Sequence, residues 1–207
     1  MSRFLEYSSI KPTIPIILAS GSKSRKLMLE EAGIEFDVTV SDADEDSLKD
    51  KISNLPFSDQ VIHLAKAKAS IVSSQNKEAV VIGGDQMCVL GKTIFNKPGD
   101  TDRAIENLKL LSGQTHSQNS GVCLFLNNKC LWEYSETVEL KMHDLSDEEI
   151  KNYVEIENPI HAAGAYKFES LGCNLFSNVE GSSYSVRGMP LIPLLNALRE
   201  LQIISLK

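Results

Sequence analysis

The residue whose position most suggests chemistry is Asp85, which ends the sequence VVIGGD at residues 80–85. The apolar run predicts a buried strand at residues 79–82 that stops at the two glycines. In open α/β sheets, ligands bind beyond the carboxyl ends of strands, and small residues there allow a close approach. A carboxylate in that place can hold a divalent cation or orient a water molecule. The alternative is that Asp85 is only a polar residue that opens a turn.

A second candidate is a loop at the start of a helix. Ser20 and Ser22 lie between a strand predicted at residues 14–19 and a helix predicted at residues 25–32, whose first turn carries Arg25. Free N–H groups at a helix start, hydroxyls and cations together favour an anion. Local stability does not explain a cation there, because it opposes the helix dipole. The alternative is a serine N-cap followed by solvated basic residues. The loop does not have the Walker A sequence, which occurs nowhere in the chain.

Two lysines are placed to neutralise such an anion. Lys68 interrupts the otherwise apolar face of a helix predicted at residues 58–74, with Ser58 as its cap. A lysine on a buried face either extends to water along its stem or meets an anion. Lys97 lies in a Pro-Gly turn and adds a cation near the same edge if the chain folds back.

Further oxygen ligands are available in an acidic segment, residues 42–50, which is predicted to be a loop. They are Asp42, Asp44 and Glu45, although a run of charges of this kind is usually solvated. Each of these features is weak alone. Together, carboxylates for a hard cation and several cations for phosphates favour phosphoryl chemistry over a sugar, peptide or nicotinamide reaction.

The elements that must position these residues alternate between strands and helices. A hairpin is predicted within residues 115–142, with its turn at Asn127 and Asn128, and a capping box at Ser146 opens a helix that runs to about residue 155. The remaining predictions are strands at residues 36–40 and 174–179, a helix at 101–111 closed by Gly113, and a last helix at 191–201. This mixture predicts an α/β fold with some antiparallel pairing.

Length and charge bound the class of protein. The 207 residues, 42% of them apolar, suit one domain, which we assign to residues 13–207, with residues 1–12 as an extension. The net charge of −7 argues against broad binding to nucleic acid or an anionic membrane, so we expect neither partner. The polar amino terminus does not resemble a signal peptide and the cysteines form no CxxC pair, which predicts a cytoplasmic protein with free, mostly buried thiols.

The sequence resembles the Maf family of nucleoside triphosphate pyrophosphatases. The shared motifs follow the family's order and extend from about residue 14 to residue 201. They are LASGSKSRK at 18–26, LAKAKA at 64–69, IGGDQ at 82–86, NKP at 96–98, LSGQTH at 111–116, AGAY at 163–166 and GMPL at 188–191. One such motif is unspecific, whereas the complete ordered set is specific.

The resemblance implies a hydrolase that cleaves an acid anhydride, between the α- and β-phosphates of a nucleoside triphosphate. It implies a Maf/Ham1-like α/β fold, with a mixed sheet flanked by helices and two lobes with a cleft between them. A homodimer and a divalent cation, Mg²⁺ or Mn²⁺, are also implied. The family's proton acceptor matches Asp85, and an acidic position that shares the metal matches Asp44. Its phosphate-binding positions match Ser20, Ser22, Arg25, Lys68 and Lys97.

Family subgroups differ at three specificity positions, which are Ser24, Gln86 and Glu169 in this sequence. Gln86 and Glu169 resemble the subgroup that prefers 7-methyl-GTP, whereas the small Ser24 departs from it. A carboxylate can accept two hydrogen bonds from a guanine edge and favours the positive charge of an N7-methylated base. The alternatives are a dTTP/UTP or ITP/XTP pyrophosphatase, or a nucleotide-binding regulator of septum formation.

Overall fold

A mixed sheet organises the fold. The computed structural model describes residues 10–206, whose strands are β1 (Ile16–Leu18), β2 (Asp37–Val38), β3 (Val80–Leu90), β4 (Thr93–Phe95), β5 (Thr115–Leu126), β6 (Lys129–Met142) and β7 (Phe176–Glu180). Their order is β2-β1-β3-β5-β6-β7, and β4 pairs with β3 beside this path. Strand β1 is parallel to both of its neighbours, and the remaining pairings are antiparallel. The predicted mixed α/β class is confirmed.

Helices flank the sheet. They are α1 (Lys23–Glu31), α2 (Glu45–Ile52), α3 (Phe57–Gln75), α4 (Thr101–Leu111), α5 (Asp147–Glu157), α6 (Ser183–Val186) and α7 (Leu191–Glu200), with short 3₁₀ turns at Ala163–Ala165 and Leu171–Leu175. The capping box at Ser146 is formed in full. Asn127 and Asn128 both have positive φ angles in the turn between β5 and β6, as the predicted hairpin requires.

The prediction of a loop at residues 42–50 is wrong, because α2 begins within it at Glu45. Asp44 is the N-cap, and its Oδ1 atom accepts a hydrogen bond from the backbone N–H of Ser47 at 3.1 Å. Acidic residues in the first turn and lysines in the last turn complement the helix dipole. The buried Ile52 then fixes the helix to an apolar cluster that includes residues of α3 and β3.

Two smaller predictions are also wrong. Helix α3 begins at Phe57 with Pro56 as its N-cap residue, so Ser58 lies inside the first turn and is not the cap. The cysteines are free, as predicted, but Cys130 and Cys173 are exposed, so the thiols are not mostly buried.

Asp85 lies in the middle of a strand, which corrects the prediction that a strand ends before it. β3 continues to Leu90 because β5 pairs with it from Val81 onward, with Gly121 opposite Asp85. The parallel neighbour β1 stops at Leu18, opposite Ile82. Asp85 therefore lies beyond the carboxyl end of β1 rather than beyond that of its own strand.

Apolar side chains from the sheet pack against helices in clusters. One cluster joins residues of β1, β3 and β5 to α1 and α7, and includes Leu18, Ile82 and Leu124. A second, farther along the strands, packs Cys88 and Leu140 against α4 and α5. The opposite side of β3 and β5 packs against α3 through alternate residues such as Val81 and Cys123.

The amino-terminal part of the described chain lies against the residues that follow α1. Ile10 forms an isolated parallel bridge with Ile34 and packs against the cluster of α1 and α7. Residues 1–9, most of the predicted extension, lie outside the described residues. Between residues 10 and 206, no helix has the length and apolar character needed to cross a membrane.

Candidate active site

A buried lysine joins two carboxylates beside the centre of the sheet. The Nζ atom of Lys68 donates to Oδ1 of Asp85 at 2.7 Å and lies 2.9 Å from Oε1 of Glu45. Lys68 is 9% exposed and Asp85 is 7% exposed. Of the two alternatives for Lys68, extension to water is therefore wrong in this state, and the anions that it meets belong to the protein. The three residues come from α3, β3 and α2, so that only folding brings them together.

Glycines on two strands let α3 approach the sheet closely enough to make this cluster. A Cβ atom on Gly83 would lie 2.3 Å from the backbone oxygen of Ala65 in α3. A Cβ atom on Gly121 would lie 2.8 Å from the carbonyl carbon of Val61 in the same helix. The helix backbone therefore rests directly on the strands, which explains why small residues are needed beside Asp85.

Arg25 lies beside the other glycine of the central motif. Its Nε–H donates to the carbonyl oxygen of Gly188 at 2.8 Å, and Nη1 donates to Oγ of Ser20 at 3.0 Å. A Cβ atom on Gly84 would lie 3.1 Å from that Nε atom. Arg25 is 8% exposed, so its guanidinium is a buried and oriented donor group rather than a solvated surface charge.

The charges of this cluster act on one another. Burial lowers the pKa of Arg25, and the carboxylates of Asp85 and Glu45 oppose that shift. Burial also disfavours the ionised form of Glu45, yet the hydrogen bond and charge of Lys68, with further lysines that include Lys97, lower its pKa overall. The charge of the exposed Lys97 thus contributes to the lower pKa of Glu45, whereas its binding of phosphate stays a prediction.

The predicted anion loop lies at the start of α1, which begins at Lys23 rather than Arg25. Ser22 is the N-cap, and its hydroxyl accepts a hydrogen bond from the backbone N–H of Arg25 at 3.4 Å. Ser20 is buried, and its Oγ atom accepts from the backbone N–H of Ser22 at 3.3 Å. Ser22 thus has the capping role of the alternative interpretation, whereas Ser20 orients the Arg25 guanidinium.

Asp44 was the predicted metal-associated residue, but it forms no ion pair with Lys68 among residues 10–206. Its carboxylate caps α2, and the next residue, Glu45, reaches the lysine. The helix explains the difference, since a capping side chain turns back toward its own helix. A metal role for Asp44 stays a prediction. The described chain contains no group of three or more His, Cys, Asp or Glu side chains placed to hold a metal ion.

Two of the predicted specificity residues donate hydrogen bonds to the same backbone segment. Ser24 donates from Oγ to the carbonyl of Arg187 at 2.8 Å, and Gln86 donates from Nε2 to that of Val186 at 2.7 Å. Glu169 is exposed, and no hydrogen bond or ion pair within residues 10–206 joins it to either of them. Burial raises the pKa of Tyr153 in α5, and the negative charge of Glu169 adds to that rise.

Sequence reasoning missed the segment that accepts these hydrogen bonds. The backbone carbonyls of residues 185–188 hold side chains from α1 and β3. Backbone acceptors leave no residue-type signal, and GMPL at residues 188–191 was only a motif of the resemblance. The acidic residue Glu136, which contacts this segment from β6, was also missed.

The fold and the site together define an α/β protein with a buried lysine–carboxylate cluster next to an oriented arginine. A family model described as Maf-like protein matches residues 15–201, and the chain belongs to this family. A nucleoside triphosphate pyrophosphatase of Legionella pneumophila (strain Corby) is 39% identical over 206 residues, which cover 100% of both chains. A 7-methyl-GTP pyrophosphatase of Rhizobium meliloti (strain 1021) is 36% identical over 190 residues, 90% of this chain and 96% of that protein.

Solved structures give a weaker likeness. A HAM1 protein from Coxiella burnetii matches 64% of this chain and 75% of its own, with a TM-score of 0.42 and 13% identity. A dITP/XTP pyrophosphatase from Mycobacterium abscessus matches 91% of this chain and 98% of its own, with a TM-score of 0.38 and 12% identity. The family assignment rests on the sequence matches and not on these superpositions.

Proposed function

We propose that this protein hydrolyses a nucleoside triphosphate to the monophosphate and pyrophosphate. The observation that carries the proposal is the convergence of Lys68 with Asp85 and Glu45, beside the buried Arg25. Carboxylates and cations in one site suit a polyphosphate substrate with its counter-cation. The names of full-length relatives in the same family, nucleoside triphosphate pyrophosphatase and 7-methyl-GTP pyrophosphatase, support this reaction.

The cations of the site neutralise the triphosphate. Lys68 and Arg25 are buried donors, and Lys97 adds an exposed charge. The backbone N–H groups at the start of α1, with the hydroxyls of Ser20 and Ser22, provide further donors for phosphate oxygens. Lys68 exchanges a carboxylate partner for a phosphate oxygen when substrate binds, so that it is never left buried without an anion.

The donor set also fits a divalent cation, Mg²⁺ or Mn²⁺. Asp85 and Glu45 would hold it, because both already converge on the single positive charge of Lys68. Two carboxylates are enough, since Mg²⁺ in such sites takes its remaining ligands from water and substrate phosphates. When bound, the cation draws charge off the phosphates and favours ionisation of a nearby water.

Asp85 is the proposed general base. The hydrogen bond from Lys68 fixes the orientation of its carboxylate, which is largely buried. In this position Asp85 orients or deprotonates the water that attacks the α-phosphorus, and pyrophosphate leaves as the α–β bond breaks. Arg25 and Lys97 stabilise the negative charge that develops on the leaving group.

We further propose that the substrate is a modified nucleotide such as 7-methyl-GTP, whose removal prevents its incorporation into nucleic acid. A relative named for that substrate and the residues Gln86 and Glu169 support this preference. We propose that Glu169 approaches the base when substrate binds. We propose that the enzyme acts in the cytoplasm as a homodimer. Light scattering of the purified protein tests whether it is a homodimer.

Pyrophosphate release tests the reaction. Purified protein is incubated with Mg²⁺ and a panel of 7-methyl-GTP, dTTP, UTP, ITP, XTP and the canonical triphosphates. We expect release of pyrophosphate and the monophosphate, most rapidly from 7-methyl-GTP, and a loss of about 10²–10⁴-fold in the Asp85→Asn variant. No release from any triphosphate overturns the proposed reaction, and strong activity on dTTP with none on 7-methyl-GTP overturns the proposed preference.

A further inference from the structure

Four consecutive backbone carbonyls hold the side chains of the candidate site. We call residues 182–188, which include the single turn of α6, the clamp segment. The carbonyls of Ser185 and Val186 both accept from Nε2 of Gln86, at 3.2 and 2.7 Å. The next two accept from Oγ of Ser24 and Nε of Arg25, each at 2.8 Å. One segment therefore sets the positions of a proposed phosphate-binding residue and of two proposed specificity residues.

Besides Gln86, residues Glu136 and Ser120 tie the clamp segment to the sheet. The Oε1 atom of Glu136 accepts a hydrogen bond from the backbone N–H of Ser182 at 3.4 Å, and Oε2 accepts from the hydroxyl of Ser185. From β5, Oγ of Ser120 donates to the carbonyl of Ser185 at 2.6 Å. A helix of one turn is not stable by itself, so these bonds determine the conformation of the segment.

Glu136 has no lysine or arginine partner within 4 Å in the described chain, although seven other glutamate or aspartate residues do. A partly buried carboxylate loses hydration and needs hydrogen bonds in return. Glu136 obtains two of them from the clamp segment, at both oxygens of its carboxylate. A role in surface ion pairing therefore does not account for this residue.

Close packing transmits the position of the clamp segment to the site. A Cβ atom on Gly188 would lie 3.0 Å from Oε1 of Gln86 and 3.7 Å from Nη2 of Arg25. Gly188 therefore packs tightly against Gln86 and lies close to the guanidinium of Arg25. A shift of the segment moves both the donor for phosphates and the residue expected to contact the base.

We propose that Glu136 is a positioning residue, which acts through the clamp segment on Arg25 and Gln86. The proposal rests on the proposed function for its effect on substrates. It predicts that loss of Glu136 changes both turnover and the choice of base, although Glu136 itself touches no substrate. A residue with a merely structural role would change stability and would affect all triphosphates equally.

The test compares Glu136→Ala and Glu136→Gln with Glu139→Ala, a control at an exposed glutamate three residues farther along β6. Measurements are kcat and KM for 7-methyl-GTP and for dTTP, with circular dichroism to verify folding. We expect Glu136→Ala to lower kcat/KM for the better substrate by about 10–100-fold and to change the ratio between the two substrates. Glu136→Gln keeps one oxygen acceptor and should recover part of the loss, whereas the control should behave as the wild type.

Amide hydrogen exchange gives a readout that does not depend on catalysis. Exchange across residues 182–188 should be faster in Glu136→Ala and unchanged in Glu139→Ala. If the wild-type protein hydrolyses no triphosphate, the proposed function fails while exchange still decides whether Glu136 holds the segment. Wild-type exchange in Glu136→Ala overturns the proposal, as does an active Glu136→Ala enzyme with unchanged kcat/KM and substrate ratio.

Discussion

The Nζ atom of Lys68 lies 2.7 Å from Oδ1 of Asp85, although the two residues are 17 positions apart and less than a tenth of each is exposed. A second ion pair of the same type joins Lys66 to Glu133 at 2.6 Å on the surface, two residues earlier in α3. The buried pair differs from the exposed pair in its access to water and in the second carboxylate, Glu45, that Lys68 also contacts. Comparison of the two therefore contrasts a buried lysine between two carboxylates with a single exposed pair.

Removal of one partner of the buried pair should lower the stability of the fold. Lys68→Met leaves the buried Asp85 without its lysine, which we expect to destabilise the fold by about 3 kcal/mol, the scale for an uncompensated buried charge. Lys66→Met removes an exposed pair and should cost less than about 1 kcal/mol. Denaturant unfolding of the two variants checks the difference. Equal effects of the two substitutions would show that the Lys68–Asp85 pair is not desolvated as described.

The roles of two adjacent acidic residues can be distinguished. Glu45→Gln removes a charge from the Lys68 cluster, so we expect a fall in kcat of at least tenfold with little loss of stability. Asp44→Ala removes the cap of α2 and should cost about 1 kcal/mol of stability with a smaller effect on kcat. Kinetics with Mg²⁺ and thermal unfolding measure the two effects. The reverse result would assign the metal-associated role to Asp44.

Substitutions of the two glycines before Asp85 should have different effects. Gly83→Ala places a Cβ atom 2.3 Å from a backbone oxygen of α3, which cannot move alone, so we expect a loss of several kcal/mol, at or above the usual range of about 1–3 kcal/mol for overpacking. Gly84→Ala meets the side chain of Arg25 at 3.1 Å, which can shift. Its main effect should therefore be a higher KM for triphosphates with modest destabilisation. A destabilised Gly84→Ala variant with an unchanged KM would contradict the described position of Arg25.

His116 should make stability fall in mild acid. Burial lowers its pKa to about 4 from 6.5, and its Nε2 atom lies 2.8 Å from the hydroxyl of Tyr166. The unfolded chain therefore binds a proton at a higher pH than the folded protein does. The contribution of His116 to the free energy of unfolding is complete above pH 6.5. It is lost as the pH falls toward 4, and its total is about 3 kcal/mol.

The measurement for His116 is the free energy of unfolding between pH 4 and pH 7. A His116→Gln variant should be less stable at pH 7 because it disturbs the contact with Tyr166, and its stability should depend less on pH in this interval. If wild type and variant have parallel pH profiles, His116 is not the group responsible.

Much of the fold and part of the site follow from local patterns. The capping box at Ser146 and the asparagine turn between β5 and β6 were correct because their signals lie within a few residues of the elements that they set. The apolar face of α3 also identified Lys68 as exceptional, because a charge on such a face must find a partner. Ser20 and Arg25 were likewise chosen from their place at the start of a helix, and the structure joins them by a hydrogen bond, whereas their binding of phosphate stays a prediction.

Other features depended on partners distant in sequence. β3 continues through Gly83 and Gly84 because β5 supplies the hydrogen bonds, which glycine propensity alone does not predict. Whether Asp44 or Glu45 meets Lys68 depended on α2, where one carboxylate is used as the cap. The clamp segment was not predicted, because its acceptors are backbone carbonyls that every residue carries.

The sequence by itself determined which side chains could do chemistry, since residue type, helical spacing and the position of a strand or a cap are local properties. Only the tertiary structure decided which of them meet. The close approach of α3 to the strands makes Asp85 and Glu45 the partners of Lys68, and the carbonyls of residues 185–188 orient Arg25 and Gln86. These contacts join residues from separate elements, and the packing of those elements fixes their distances.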